Sequence, residues 1–273
     1  IRWKENKNKI IQLNKEIEDY LVKNNITVQL SIDGDEDTHN SNRYFANKVK
    51  SYDLIMKKTK NMREKGILSS RATVTNNNLD MISTFEHLYD LNFRAIPIVP
   101  AYNSLKQDDY DNVENAYSAL IDYFENLIKV GDFEKANKMT IIKNSLKRIH
   151  TGYDRNVSCG VGNGSCAVDI NGELYPCHRF VSSKEHKIGD IYNGFEGRKE
   201  FIKSVNVEND KECSECWAKN LCVGGCPNET MDYKKNKSED KFNICEITKF
   251  IYENLINVYI RLTEEEKKQL FTI

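Results

Sequence analysis

All eight cysteines of this 273-residue chain lie in its second half, and their spacing indicates a common chemical purpose. They are Cys159, Cys166, Cys177, Cys213, Cys216, Cys222, Cys226 and Cys245. Those from 213 to 226 follow the pattern Cys-x2-Cys-x5-Cys-x3-Cys. Eight thiolates are the number that two cuboidal iron–sulfur clusters require, because four cysteines normally hold each cluster. The sequence therefore predicts a local metal site.

Two other uses of clustered cysteines compete with iron–sulfur binding. Zinc ribbons usually pair two close Cys-x2-Cys knuckles, whereas here only Cys213 and Cys216 form one. A secreted disulfide framework suits a small stapled scaffold, which the helical, Lys- and Glu-rich first half does not resemble. The spacing and the softness of thiolate ligands favour iron–sulfur clusters over both alternatives.

Composition excludes several broad classes of function. Hydrophobic residues make up 39% and charged residues 30% of the chain, which is typical of a globular protein. The 40 basic and 41 acidic side chains nearly cancel, so nothing indicates nucleic-acid binding. No apolar run approaches the ~20 residues that cross a bilayer. We expect no nucleic-acid or membrane partner and a reducing, cytoplasmic location.

The first half predicts alternating helices and strands. The predicted elements are helix 5–24, strand 26–33, helix 46–65, strand 68–75, helix 79–91 and strand 93–99. Gly66 is a natural helix cap, and Pro100 stops the last strand. Short loops between such elements imply right-handed crossovers and a parallel sheet.

The second half predicts a different organisation. Residues 107–150 are helical and charged, and glycine and cysteine become frequent after them. The stretch 168–175 alternates apolar and polar residues around an Asn-Gly turn, which predicts a β-hairpin. A terminal helix is predicted from Ile244 to about Leu262.

The cysteines of this half, taken with one glycine, resemble a known domain. This chain supplies Cys159-x12-Gly172-x4-Cys177, then the run from Cys213 to Cys226, and finally Cys245. That order closely resembles the SPASM domain of radical S-adenosylmethionine (SAM) enzymes. The match covers the stretch from Cys159 to Cys245.

The resemblance implies two auxiliary [4Fe–4S] clusters with interleaved ligands. By analogy Cys159, Cys166, Cys177 and Cys226 hold the first cluster, and Cys213, Cys216, Cys222 and Cys245 hold the second. Cys166 lies outside the seven-cysteine family pattern. Without it, the first cluster has an open iron that could bind a substrate thiolate; with it, that cluster relays electrons or braces the fold.

Two segments of the first half are similar to the same family. Residues 30–34, Leu-Ser-Ile-Asp-Gly, with His39 and Arg43 after them, resemble the fourth strand of the radical SAM partial barrel, and residues 71–75 resemble the fifth. The resemblance implies that Ser31 and Asp33 bind the ribose hydroxyls of SAM and that Arg71 pairs with its carboxylate. The alternative is a capping Ser, a turn Asp and a surface Arg.

The fold class expected from these features is α/β. Residues 1–150 are expected to form the C-terminal half of a partial (β/α)6 TIM-type barrel, with strands four to six and the following helices. Residues 151–273 are expected to form a loop-rich SPASM domain with a β-hairpin and a terminal helix. The family's own Cys-x3-Cys-x2-Cys motif is absent, since no cysteine precedes Cys159. We expect an N-terminally truncated chain that is inactive alone.

Two radical SAM reactions fit the segment Tyr175-Pro-Cys-His-Arg-Phe180. Anaerobic sulfatase-maturating enzymes, which make formylglycine, carry an Asp where this chain has His178. The segment looks more like the maturases that install thioether links in cysteine-rich, ribosomally made peptides, and we take this as the leading interpretation. His178 is then a candidate catalytic base or a donor to a cluster.

The intact enzyme is expected to need further components. These are SAM, a third [4Fe–4S] cluster, a peptide or protein substrate, and a reductant such as flavodoxin or ferredoxin. A non-catalytic iron–sulfur or peptide-binding module remains the alternative of another class.

Overall fold

The structure, a computed structural model, describes residues 13–43, 49–152, 156–181, 183–236, 238 and 240–271. These residues group into two compact units. The first contains the residues up to 147 and those from 253 onward, and the second contains residues 148–252. The identities expected for the two domains, 1–150 and 151–273, remain predictions.

The first unit contains the parallel sheet that its alternating elements predict. The strand order is β1–β2–β3, and both neighbouring pairs are parallel. The bounds are Val28–Ser31 for β1, Leu68–Val74 for β2 and Ile98–Pro100 for β3. Because the strands are parallel, the carboxyl ends of β1 and β2 lie at one edge of the sheet.

Helices connect and flank these strands. They are α1 Lys15–Lys23, α2 Glu36–Asn42, α3 Tyr52–Glu64, α4 Met81–Asp90, α5 Tyr110–Lys129, α6 Phe133–Lys138 and α7 Thr140–Thr151. Asn14, Asp35 and Asp80 cap α1, α2 and α4 by accepting a backbone N–H of the first turn. Gly66, with φ of +64°, follows α3 as the predicted helix cap.

Some element bounds differ from the predicted ones. Strand β3 is shorter than predicted because Pro97 has no N–H with which to continue the ladder, although its carbonyl still accepts from Ala72 at 3.1 Å. The predicted helices 5–24 and 46–65 lie partly outside the described residues, and their described parts are α1 and α3.

The second unit contains a small antiparallel sheet of order β4–β5–β6–β7. Its strands are β4 Ala167–Val168, β5 Glu173–Tyr175, β6 Gly189–Asp190 and β7 Gly194–Phe195. Strands β4 and β5 form the predicted hairpin, in which Gly172 has φ of +82°. A cluster of buried hydrophobic residues packs in this unit and consists of Val161, Leu174, Tyr175, Phe180, Ile188 and Phe201.

Helices complete the chain. They are α8 Arg198–Ser204, α9 Lys211–Ser214, α10 Lys219–Cys222, α11 Pro227–Lys235, α12 Ile244–Arg261 and α13 Glu264–Phe271. The predicted terminal helix is α12, whereas α13 was not predicted. Thr263 and Glu266 cap α13 reciprocally, and this pair is the sequence signal that marks it. No helix of the described part is long and apolar enough to cross a bilayer.

Candidate functional site

Two short helices and a chain reversal shape the cysteine run of the second unit. Asp210 caps α9 by accepting the backbone N–H of Cys213 at 2.9 Å. Cys222 ends α10, and residues 223–225 after it all have positive φ, between 52° and 75°. Two of these residues are glycines, which adopt this backbone without strain. The reversal separates Cys222 from Cys226.

The four cysteines assigned to the second cluster line one cavity. They are Cys213, Cys216, Cys222 and Cys245. The cavity volume is about 290 Å³, which is far more than a single ion needs. Lys219, Lys234 and Lys249 line the same cavity. Their positive charges suit an iron–sulfur cluster, which is anionic once four thiolates bind it.

The protonation of these thiols reflects their crowding. Burial, followed by the neighbouring Cys245, Cys213 and Cys216, raises the pKa of Cys222 to about 11. Burial is also the main cause that raises the pKa of Cys213 and of Cys245. Because thiolates in such a group repel one another, bound cationic iron would stabilise their deprotonated forms.

Arg179 joins two cysteines that the resemblance assigns to the first cluster. Its backbone N–H lies 3.4 Å from Cys177 Sγ, and its Nη1 lies 3.4 Å from Cys226 Sγ. Glu229 forms an ion pair with the same guanidinium. Cys226 also lines the cavity of the second group, so it lies at the border of the two groups.

A further contact brings Cys159 towards this place. The hydroxyl of Ser158 donates to the carbonyl of Gly225, the residue before Cys226. The same hydroxyl lies 3.9 Å from Cys159 Sγ. The chain segments that carry Cys159 and Cys226 are therefore in contact, and the side chain of Cys159 is exposed.

The loop that carries Cys166 is tied to the segment of Cys177. The N–H of Gly162 donates to the carbonyl of Pro176 at 3.1 Å. Cys166 itself is exposed and directly precedes β4. These contacts support the crossed order of ligands, and the two ligand sets remain proposals.

The donors of this unit suit iron–sulfur clusters. Cysteine sulfurs line a cavity that can hold a polyatomic group, and a basic side chain lies beside a cysteine in each group, Arg179 in one and Lys234 in the other. Among the described side chains, no three of His, Cys, Asp and Glu have the spacing for a single metal ion.

Ser31 and Arg71 are register partners at the end of β1 and within β2. Ser31 is exposed, and Arg71 is half-buried. Paired residues of neighbouring strands point to the same face of a sheet, and α/β sheets bind ligands at their carboxyl edge. The placement is compatible with SAM binding by both residues, which remains a prediction.

Asp33 follows β1 and is buried in an ion pair. Its side chain is 1% exposed. The carboxylate accepts from Arg43 through Nε at 2.7 Å and Nη2 at 3.1 Å, and from the N–H of Thr73 at 2.9 Å. These contacts connect the end of β1 with β2. They give Asp33 a structural role, and its contact with ribose remains a prediction.

His39 is fully buried beside this ion pair. The N–H of Asp33 donates to its Nδ1 at 3.4 Å, so Nε2 carries the proton and donates to Ser51 Oγ at 3.0 Å. Ser51 Oγ in turn donates to the carbonyl of Arg43 at 2.9 Å. Burial lowers the pKa of His39 to about 4, which keeps it neutral near pH 7.

His178, the candidate catalytic residue, lies in the turn after β5 and is half-buried. It stands between Cys177 and Arg179 in the chain. This position is beside a candidate cluster ligand, and its catalytic role remains a prediction.

Curated proteins similar to this chain share one description. The chain is 27% identical over 268 residues to a cysteine-type anaerobic sulfatase-maturating enzyme of Clostridium novyi (strain NT), covering 90% of this chain and 69% of the relative. A protein of the same description from Clostridium perfringens (strain 13 / Type A) is 26% identical over 265 residues. The chain is a homologue of these enzymes. The radical SAM resemblance of the sequence is thereby confirmed, although no family model matches the chain.

Solved structures share the fold of this chain. Native anSMEcpe with bound AdoMet superposes with a TM-score of 0.71 at 24% identity, covering 94% of this chain and 74% of that chain. The same enzyme with bound AdoMet and the Kp18Cys peptide superposes with a TM-score of 0.69 at 22% identity, covering 93% of this chain and 75% of that chain. The predicted α/β class is confirmed. The partial barrel and the SPASM architecture remain proposals.

Sequence reasoning missed two basic residues of the homologue's candidate site. Arg179 and Lys234 each place a side-chain nitrogen 3.4 Å from a cysteine sulfur. Arg179 lies in a turn and Lys234 in the last turn of α11, where basic residues are usually solvated, so neither carries a specific signal in the sequence.

Proposed function

We propose that this chain belongs to a radical SAM enzyme that oxidises a cysteine or serine of a peptide or protein to formylglycine. One observation carries the proposal: Arg179 joins Cys177 to Cys226, while Cys222 and Cys245, on either side of Cys226 in sequence, line a cavity that Cys226 borders. Such crossed thiols suit two auxiliary clusters. The sulfatase-maturating relatives then favour formylglycine formation.

This proposal reverses the order of the two reactions considered from the sequence. The leading interpretation was a thioether-forming peptide maturase. The similar curated proteins are described as cysteine-type anaerobic sulfatase-maturating enzymes, which supports the alternative.

The two auxiliary clusters are proposed to have separate ligand sets. Cys159, Cys166, Cys177 and Cys226 hold the first, and Cys213, Cys216, Cys222 and Cys245 hold the second. Bound clusters supply one-electron chemistry, at potentials that hydrogen bonds and exposure tune. A third cluster, with a reductant such as flavodoxin or ferredoxin, is proposed to support SAM cleavage in the complete enzyme.

The strand ends of the first unit are proposed to bind SAM. Arg71 pairs with the methionyl carboxylate, and Ser31 hydrogen-bonds a ribose hydroxyl. Asp33 acts indirectly, because it holds Arg43 and the N–H of Thr73.

The reaction at a substrate cysteine has a defined balance. A SAM-derived radical would take one hydrogen atom from Cβ, an auxiliary cluster would accept one electron, and a base would take the thiol proton; water then replaces sulfur to give the aldehyde and hydrogen sulfide. His178 is the proposed acceptor of the proton, since an imidazole can act as a base near neutral pH.

His178 is also the observation that keeps a second reaction open. The sulfatase-maturating family carries an Asp at this position, so a thioether-forming maturase of cysteine-rich peptides is the second candidate. A non-catalytic iron–sulfur module would bind clusters without changing a peptide.

Mass spectrometry of a peptide substrate tests the three functions. The protein is expressed from its complete reading frame, reconstituted anaerobically, and incubated with SAM, dithionite and a peptide that contains one Cys. An aldehyde that reacts with a hydrazide supports the proposal. An internal thioether, which lowers the peptide mass by two hydrogens (one from the thiol and one from a carbon), supports the second candidate. An unchanged peptide, with SAM intact in a cluster-loaded protein, supports the non-catalytic module. A matched peptide with Ala in place of Cys is the control.

A further inference from the structure

Arg179 contacts cysteine sulfurs from two distant parts of the second unit. Its backbone N–H lies 3.4 Å from Cys177 Sγ, in the segment after β5. Its Nη1 lies 3.4 Å from Cys226 Sγ, at the start of α11. The side chain is 28% exposed, so water does not fully screen its charge. One residue thus fixes two thiols relative to each other.

Glu229 holds the guanidinium in this place. It lies in the first turn of α11, and its carboxylate pairs with Arg179 Nη1 while being 13% exposed. The same nitrogen therefore lies between a carboxylate and a sulfur. The carboxylate fixes the orientation of the guanidinium and partly offsets its charge.

We propose that Arg179 is a positioning residue of the first auxiliary cluster. Arg179 holds Cys177 and Cys226 on the same cluster and raises the reduction potential of that cluster. The inference rests on the proposed function, because it requires a cluster at these thiols.

The sign of the effect follows from charge. Reduction adds one electron to a [4Fe–4S] cluster, so the complex with its four thiolates gains one negative charge. An N–H donor to a ligand sulfur and a nearby cation both stabilise the reduced form more than the oxidised form. Arg179 therefore raises the potential, and the carboxylate of Glu229 lowers it.

The second group has its own cation. Lys234 Nζ lies 3.4 Å from Cys213 Sγ and forms an ion pair with Asp210. The contact resembles that of Arg179 but involves a different ligand set. Lys234 therefore serves as an internal comparison.

Anaerobic redox titration of the reconstituted protein, followed by electron paramagnetic resonance, tests the inference. Arg179→Met should lower the midpoint potential of one reduction step, and Lys234→Met should lower that of the other. Glu229→Gln should raise the midpoint potential of the same step that Arg179→Met lowers. Arg179→Lys should restore part of the potential that Arg179→Met loses. The control is Arg261→Met, because Arg261 pairs with Glu125 within the first unit, with its Nε 2.8 Å from Glu125 Oε1. It should leave both potentials unchanged.

Iron and sulfide counts separate the possible failures. Unchanged potentials in an Arg179→Met protein with full iron content overturn the inference and leave the proposed function intact. If the Arg179→Met protein loses iron, the Glu229→Gln protein provides the test instead. An unchanged or lowered midpoint potential in Glu229→Gln overturns the inference. A wild-type protein that takes up zinc but no sulfide refutes the proposed function itself.

Discussion

The guanidinium of Arg43 donates to both oxygens of the Asp33 carboxylate, with Nε 2.7 Å from Oδ2 and Nη2 3.1 Å from Oδ1. The carboxylate is buried, whereas the Arg43 side chain is 37% exposed. The N–H of Thr73 on β2 completes the set of donors. This ion pair connects the loop after β1 with the neighbouring strand, next to the proposed SAM contacts.

Asp33→Asn should lower the free energy of unfolding by about 1–3 kcal/mol, because it removes the partner of Arg43 from a buried position. The amide oxygen can still accept from Thr73, so the sheet itself should persist. Urea unfolding followed by circular dichroism measures the change.

The matched control for this substitution is Asp19→Asn. Asp19 pairs with Lys15 on α1, and both side chains are more than half exposed. Water screens such a pair, so no measurable change in stability is expected. Equal effects of the two substitutions would contradict a special role for the buried pair.

Acid should destabilise the fold through His39. Its pKa in the folded state is about 4 instead of the usual 6.5, so between these values the unfolded chain binds a proton that the folded chain does not. The contribution of His39 to stability is complete above pH 6.5 and is lost as the pH falls to about 4, by roughly 3 kcal/mol at most. Urea unfolding at several pH values measures this slope.

His39→Gln removes the titration while keeping an acceptor and a donor for the two contacts of the ring. The slope of stability between pH 6.5 and 4 should become shallower in this variant. His150→Gln, at an exposed position of α7, leaves His39 in place and should keep the slope. A wild-type slope in His39→Gln would exclude the buried imidazole as its source.

Pairs of cysteine substitutions should reveal which thiols share a cluster. Cys222→Ser and Cys245→Ser should each lower the iron content from about eight to about four atoms per chain, and their combination should lower it no further. Cys222→Ser combined with Cys226→Ser should remove nearly all iron, because the two residues belong to different clusters. Iron and sulfide assays after anaerobic reconstitution measure the outcome.

The opposite pattern of iron loss would refute the crossed ligand sets. If Cys222→Ser with Cys226→Ser kept about four irons while Cys222→Ser with Cys245→Ser lost all of them, neighbours in sequence would share a cluster. Circular dichroism of each variant checks that the fold is retained.

The sequence could predict the parts of the molecule that local rules determine. The β-branched run before Asp33 and the Asn-Gly turn before β5 led to a strand and a hairpin at their observed places. The spacing of the cysteines predicted a cluster site, which remains a proposal, and the structure places Cys213, Cys216, Cys222 and Cys245 around one cavity.

Other parts depend on packing between distant residues. Asp33 resembled a turn residue or a ligand of ribose, and its burial follows from the position of Arg43 ten residues later. The reach of Arg179 to Cys226 depends on how α11 packs against the segment after β5. No local pattern encodes either contact, so only the structure could assign these side chains.

Gly224→Ala should destabilise the reversal between Cys222 and Cys226 more than Gly225→Ala does. Both glycines have positive φ, 75° and 64°, so either substitution strains the backbone by about 1 kcal/mol. Only at Gly224 would the new Cβ meet another residue, 3.0 Å from Val207 Cγ1. Gly224→Ala should therefore show the lower iron content and midpoint of thermal unfolding, and Val207→Ala should relieve the difference. Equal losses in both single variants would mean that backbone strain alone limits this turn.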